Sequence, residues 1–93
     1  MLAAVLIPLA SVIDVPAAER ALLFVSVLLV LLVELLNSSL EAAVDRIGLD
    51  RHRLSKRAKD LGSAAVLVAL VMLATTWGLI ALPVLLRLLQ GEA

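Results

Sequence analysis

From Leu61 to Leu86 the chain carries no charged residue. A hydrocarbon core about 30 Å thick is crossed by about 20 apolar residues in a helix, so this run is long enough to span a bilayer. Hydrocarbon offers backbone amides no partner, and a single span satisfies them only as a helix. Composition points the same way, since 63% of the 93 residues are hydrophobic and the mean hydropathy is +1.15. Soluble domains use roughly 45–50% apolar residues, and one this small buries too little surface to hide the excess. The expected class is an all-α membrane protein, one domain over residues 1–93.

Two further apolar segments precede this run. Met1 to Ile13 is too short to span comfortably and ends at Asp14-Val15-Pro16. It resembles the back half of a transmembrane helix whose front half is missing. Asp14 can accept from exposed backbone N–H groups, and Pro16 suits the first turn of a helix. A second helix is predicted from about Pro16 to about Ile47, roughly 48 Å at 1.5 Å per residue. Its Ala21–Val33 half belongs in lipid, while Glu34–Ile47 must reach the interface or line a protein cavity. Gly48 is the natural stop. Leu49 to Ser55 is expected as a polar connection. Gly62, Ser63, Ala64 and Ala65 open the third helix with small residues that let another helix approach closely. Pro83 is expected to kink or end it, leaving Arg87 and Glu92 in a short tail.

Net charge says nothing about partners, because 8 basic residues balance 8 acidic ones. Their placement is informative. Arg46, Arg51, Arg53, Lys56, Arg57 and Lys59 lie in one segment between apolar runs. The positive-inside rule puts that segment in the cytoplasm, with Asp14–Arg20 and the C-terminal tail outside. By default such a segment is a topology signal and a contact for anionic lipid. There is no cysteine, which excludes disulfides, thiolate metal sites and cysteine nucleophiles. No basic region precedes the first apolar run, so a secretory signal fits poorly.

The second helix breaks the apolar pattern in a specific way. With Glu34 at zero on a helical wheel, Asn37 falls at about −60°, Glu41 at about −20°, Asp45 at about +20° and Ser38 at about +40°. This polar stripe climbs about 16 Å from Glu34 to Asp45. Charge at membrane depth is rarely kept without a task, and the alternatives are an ion or proton path or polar glue between helices. Carboxylates on one stripe repel unless a cation or protons intervene. Oxygen ligands favour a hard cation such as Mg²⁺, held by one or two carboxylates and substrate phosphates. Basic residues beside the stripe, at a membrane surface, suit a magnesium–nucleotide complex. Glu34 is the deepest and most desolvated carboxylate and could accept a proton from a hydroxyl in the lipid zone. These residues point to phosphoryl transfer onto a lipid alcohol. No glycine-rich phosphate loop is present, which excludes the ordinary nucleotide-binding folds. His52 would by default be a solvated loop residue, Trp77 a packing or interfacial residue and Arg20 an interface anchor.

The segments "VELLNSSLEAAVDRIG" and "LSKRAKDLGSAAVL" strongly resemble the prokaryotic diacylglycerol kinase family of small membrane enzymes. The match is ungapped and continues more weakly over residues 12–82. The resemblance implies a homotrimer of three-helix subunits in the bacterial cytoplasmic (inner) membrane, with active sites shared between neighbours on the cytoplasmic side and no role for nucleic acid. It implies transfer of the γ-phosphate of MgATP to diacylglycerol, giving phosphatidic acid; undecaprenol, or a truncated non-catalytic oligomer, is the alternative. Glu34 matches the family's catalytic base, with Asn37 in the same motif, and Glu41 matches a metal-linked carboxylate. Asp45, Lys59 and Asp60, with the Asp50, Arg51 and His52 turn beside them, match the nucleotide site. Ser63 matches a position facing the lipid substrate, and Arg20 and Trp77 resemble more distal lipid contacts. Family members usually begin with an amphipathic surface helix and a glutamate-bearing segment that supplies a second metal carboxylate. The chain as written is expected to lack both, and its first span to be truncated.

Overall fold

The computed structural model describes residues 2–47 and 52–91, and among them every regular element is an α-helix. α1 covers Leu2–Val12, α2 covers Ala17–Ile47 and α3 covers His52–Leu89. With 31 and 38 residues, α2 and α3 are about 47 and 57 Å long at 1.5 Å per residue. Together the helices form a rod of 60 × 20 × 16 Å. α2 is the central element, packed by α1 near one end and by α3 along its length.

Basic and apolar residues meet in the turn that reverses the chain from α1 to α2. Pro16 presents the carbonyl that accepts from Arg20 N at 2.9 Å and so opens α2. Asp14 is exposed and accepts none of the hydrogen bonds seen there among the described residues. Arg20 holds the turn instead. Its Nη1 donates to Ala10 O at 2.7 Å and its Nη2 to Val15 O at 3.4 Å. The carbonyls at the end of α1 have no partner within the helix, and a guanidinium with five donors can serve several acceptors at once.

Two clusters of buried side chains join the helices. Near the turn, Ala10, Ile13, Leu23, Ala81 and Val84 bring all three helices together. Farther along, Val27, Val30, Ala69 and Leu73 join α2 to α3, with Leu6 and Ile7 of α1 against them. Trp77 packs on both clusters. Its Nε1 donates to Ser26 Oγ at 3.1 Å, and Ser26 Oγ donates onward to Leu23 O at 2.8 Å. Inside hydrocarbon this relay leaves neither polar side chain without a partner, and such cross-helix bonds contribute about 0.6–2 kcal/mol. Alanine at 10, 69 and 81 lets backbones approach.

Most of the apolar surface points outward. Leu35 is 70% exposed and Leu79 75%. In the most apolar windows of α2 and α3 only 22% and 17% of the residues are buried within the chain. Core helices of a soluble fold would be mostly covered; these two are long and apolar enough to cross a membrane, and their solvent is lipid. α1, with 11 residues, is not long enough.

Two boundaries differ from the sequence expectation. α3 begins at His52 rather than after Ser55, because Leu54, Ser55 and Ala58 face Leu40, Val44 and Ile47 across a shared apolar groove and Ser55 is buried. That packing draws the connection into the helix. The charged residues from Arg53 to Asp60 therefore stand on helix, outside the uncharged run that starts at Leu61. At the other end, Pro83 does not terminate α3, which runs on to Leu89. Ala81 and Val84, on either side of the proline, are buried in the cluster with Ala10, Ile13 and Leu23, and helices in membranes tolerate proline where neighbouring elements hold the segment. Gly48, expected to stop α2, lies outside the described residues.

Candidate functional site

The polar stripe of α2 faces the start of α3. Asp45 meets Lys59, whose Nζ donates to Oδ1 at 2.8 Å. One turn deeper, Asn37 Nδ2 donates to Glu41 Oε1 at 3.2 Å. This i,i+4 contact within α2 follows from helical spacing. Asn37 then reaches across to α3: its Oδ1 is buried with no conventional hydrogen-bond donor and lies where a Cβ on Gly62 would stand. The Gly62 Cα–H on that side points at the amide oxygen, a weak C–H···O contact of the sort common at helix–helix interfaces.

Glu34 lies about 10 Å below Glu41 along the helix. It lines a cavity of about 260 Å³ whose other walls include Leu2, Leu6, Val27, Val30, Leu31 and Leu73 from all three helices. Among the described residues Glu34 is the only charged group in that lining. One face of α2 therefore presents an apolar cleft with a single carboxylate, and above it a polar platform ending in an ion pair at the charged end of the rod.

Hydrogen bonding to Asp45, then attraction to the same carboxylate and to Glu41, holds the Lys59 ammonium above its ordinary value, against a smaller opposing effect of desolvation. A group whose pKa is raised by folding contributes its stability below the unfolded value and loses it as pH rises through the folded one. The Lys59–Asp45 pair is thus closed at neutral pH and should persist past the usual lysine value of about 10.4. The Lys59→Met variant should show a pH-independent difference in thermal stability from wild type between about pH 7 and 10, shrinking only above that range. A difference already gone by pH 9 would mean that the pair is not formed in solution.

The remaining predicted residues fall into three groups. Asp60 and Ser63 are exposed beside the stripe, at the entry of α3 into its apolar run. Arg20 and Trp77 lie toward the other end of the rod, engaged with backbone carbonyls and with Ser26. Asp50 and Arg51 lie outside the described residues, as does the side chain of His52. Ser26 escaped the sequence reading, although a lone serine in a leucine-valine run, on a chain with one tryptophan, was an available signal. Gly62 was read only as a small residue for close approach; which group approaches it depends on helix register.

Among the described residues no three acidic or histidine side chains converge to form a metal cage. The donors suit a different arrangement. Asp45 is taken up by Lys59, and Glu41 is oriented by Asn37 with its other oxygen open. One carboxylate with phosphate oxygens is an ordinary set for Mg²⁺, so the residues present fit a metal carried in with a nucleotide.

Comparison with known proteins identifies the family. The pattern of the family described as prokaryotic diacylglycerol kinase matches residues 1–81. The diacylglycerol kinase of Pseudomonas aeruginosa is 56% identical over 82 residues, which cover 88% of this chain and 67% of that protein. That of Escherichia coli K12 is 59% identical over 64 residues, 69% of this chain and 52% of its own length. That of Haemophilus influenzae is 52% identical over 77 residues, 83% of this chain and 65% of its own. The chain thus spans about half to two thirds of the length of these relatives. An all-helical membrane chain that carries this polar face and this degree of identity belongs to the prokaryotic diacylglycerol kinase family.

Proposed function

We propose that the chain acts as a lipid kinase that transfers the γ-phosphate of MgATP to the hydroxyl of diacylglycerol, giving phosphatidic acid. The observation that carries this reading is the placement of Glu34, the one charged group in an apolar cleft, directly below the Asn37–Glu41 and Asp45–Lys59 platform. An acyl glycerol suits such a cleft, because its chains take the apolar walls and its hydroxyl meets the Glu34 carboxylate.

In this mechanism Lys59 and Asp60, with Asp50, Arg51 and His52, receive the nucleotide at the cytoplasmic surface. Glu41, oriented by Asn37, would hold Mg²⁺, which when bound would supply charge neutralisation to the phosphates. Phosphoryl transfer depends mostly on positioning and charge neutralisation, so the platform does most of the catalytic work. Glu34 accepts the proton of the lipid hydroxyl as its oxygen forms the new bond to the γ-phosphorus and the bond to the ADP oxygen breaks. Ser63 borders the lipid headgroup. Arg20 and Trp77 serve the lipid site by keeping α1 and α3 on α2. The cluster of basic residues at one end of the rod supports a cytoplasmic active site in the inner membrane. The broad outward apolar surface leaves room for a homotrimer whose neighbours complete each site.

ATP-dependent phosphorylation in mixed micelles tests the reading, with diacylglycerol and undecaprenol offered separately. Phosphatidic acid is the expected product. Consumption of undecaprenol with diacylglycerol untouched would move the assignment to a polyprenol kinase. Turnover of neither lipid, by a chain that still assembles, would make this a non-catalytic helical protein.

A further inference from the structure

Asn37 is held at both ends of its amide. Its NH₂ end donates to Glu41 Oε1, and since a carboxylate only accepts, that bond determines which way round the amide lies. The carbonyl end is thereby turned into α3, where Oδ1 is buried against Gly62. A Cβ at Gly62 would overlap Oδ1 and would also stand 3.2 Å from both Asn37 Cγ and Leu40 Cδ2. Gly78, on the same helix, offers a contrast: a Cβ there meets nothing within 4 Å. Two helical glycines of α3 therefore differ completely in what they do.

We propose that Gly62 is a positioning residue for the metal–nucleotide site. By lacking a side chain it provides the seat for the Asn37 carbonyl, which aims the Asn37 NH₂ group and, through it, holds the Glu41 carboxylate in one orientation. Any side chain at position 62 expels the amide from α3. Asn37 then loses its fixed rotamer, the bond to Glu41 goes with it, and Glu41 meets the metal–phosphate complex as a free, exposed side chain. The coupling runs from α3 to a carboxylate on α2 through one amide, with no charge involved. The inference rests on the reading of Glu41 as the carboxylate that meets the metal and nucleotide.

The test compares Gly62→Ala, Asn37→Ala, the double variant and Gly78→Ala, using the full chain in lipid–detergent micelles. The probe is Mn²⁺ with ATP, its binding followed by electron paramagnetic resonance without lipid substrate. Removal of a residue that orients a metal ligand weakens affinity about 10–100-fold, so Gly62→Ala and Asn37→Ala should each lose about tenfold or more. The double variant should bind no worse than Asn37→Ala alone, because the two changes break one linkage. Gly78→Ala should bind like wild type, and KM for diacylglycerol should be unchanged in Gly62→Ala. Additive losses in the double variant, or a Gly62→Ala protein that binds like Gly78→Ala, would overturn the proposal. Should Gly62→Ala fail to fold, the double variant, which has lost the clashing amide, must fold and bind like Asn37→Ala; failure there overturns the proposal too. A wild-type chain that binds Mn²⁺ with ATP but phosphorylates no lipid defeats the kinase reading and leaves this one standing. A wild-type chain that binds neither defeats both.

Discussion

Replacing Glu34 by Gln should lower turnover about 10²–10⁴-fold, the usual contribution of a general base, while leaving the helices and their assembly intact. Glutamine matches glutamate in shape and keeps an acceptor oxygen, but it has no basicity at any working pH. Among the described residues the cleft lining is otherwise apolar and offers no neighbouring carboxylate to take over the proton. The loss should appear in kcat with little change in KM for diacylglycerol, because the apolar walls bind the chains equally well in the variant. High Mg²⁺ should not restore it. Thermal unfolding and chromatographic size should match wild type, since Glu34 makes no hydrogen bond or ion pair to another helix among the described residues. A variant that retains wild-type turnover would remove Glu34 from the mechanism and return the stripe to a proton path or a packing role.

Glu41→Gln should behave differently at a similar magnitude. Removing one fixed group that stabilises the charge of the transferring phosphate costs about 10²–10³-fold in turnover. In the proposed mechanism the lost group is the carboxylate that meets the metal, so the deficit should be largest at limiting Mg²⁺ and should shrink as Mg²⁺ is raised. Turnover measured across a Mg²⁺ series therefore separates the two carboxylates: Glu41→Gln is rescued in part, Glu34→Gln is not. Equal rescue of both, or of neither, would mean that the two residues do not divide the roles of metal contact and proton acceptor. Asn37 stands between them in height but belongs with Glu41, to which it is hydrogen-bonded.

Legibility varied with the range of the interaction. Placing Glu34, Asn37, Glu41 and Asp45 on one face needed only the helical period, and the Asn37–Glu41 bond is its direct expression at i,i+4. The end of α2 at Ile47 was foreseen and its start was within a residue of Ala17. The start of α3 was misjudged because a basic segment reads as a loop until Ser55 and Ala58 are seen packed on α2. Of the two outcomes expected at Pro83, an end to α3 did not occur, since the burial of Ala81 and Val84 is a property of three helices together. Arg20 illustrates the same limit. An arginine beside a membrane turn is usually an anchor at the interface, yet this one turns inward to the Ala10 and Val15 carbonyls.

The sequence by itself determined the all-helical membrane class, the long spanning run of α3, the clustering of basic residues between the apolar runs and the order of groups along the α2 stripe. Each of these depends on apolar length, charge placement or a local period, and a linear chain displays all three. Only the tertiary structure decided which groups meet: Lys59 with Asp45, Trp77 with Ser26, and the Asn37 carbonyl with Gly62. Those pairs are set by the register of α3 against α2. One residue of slip rotates a helix by about 100° and would exchange every partner without altering a single local pattern.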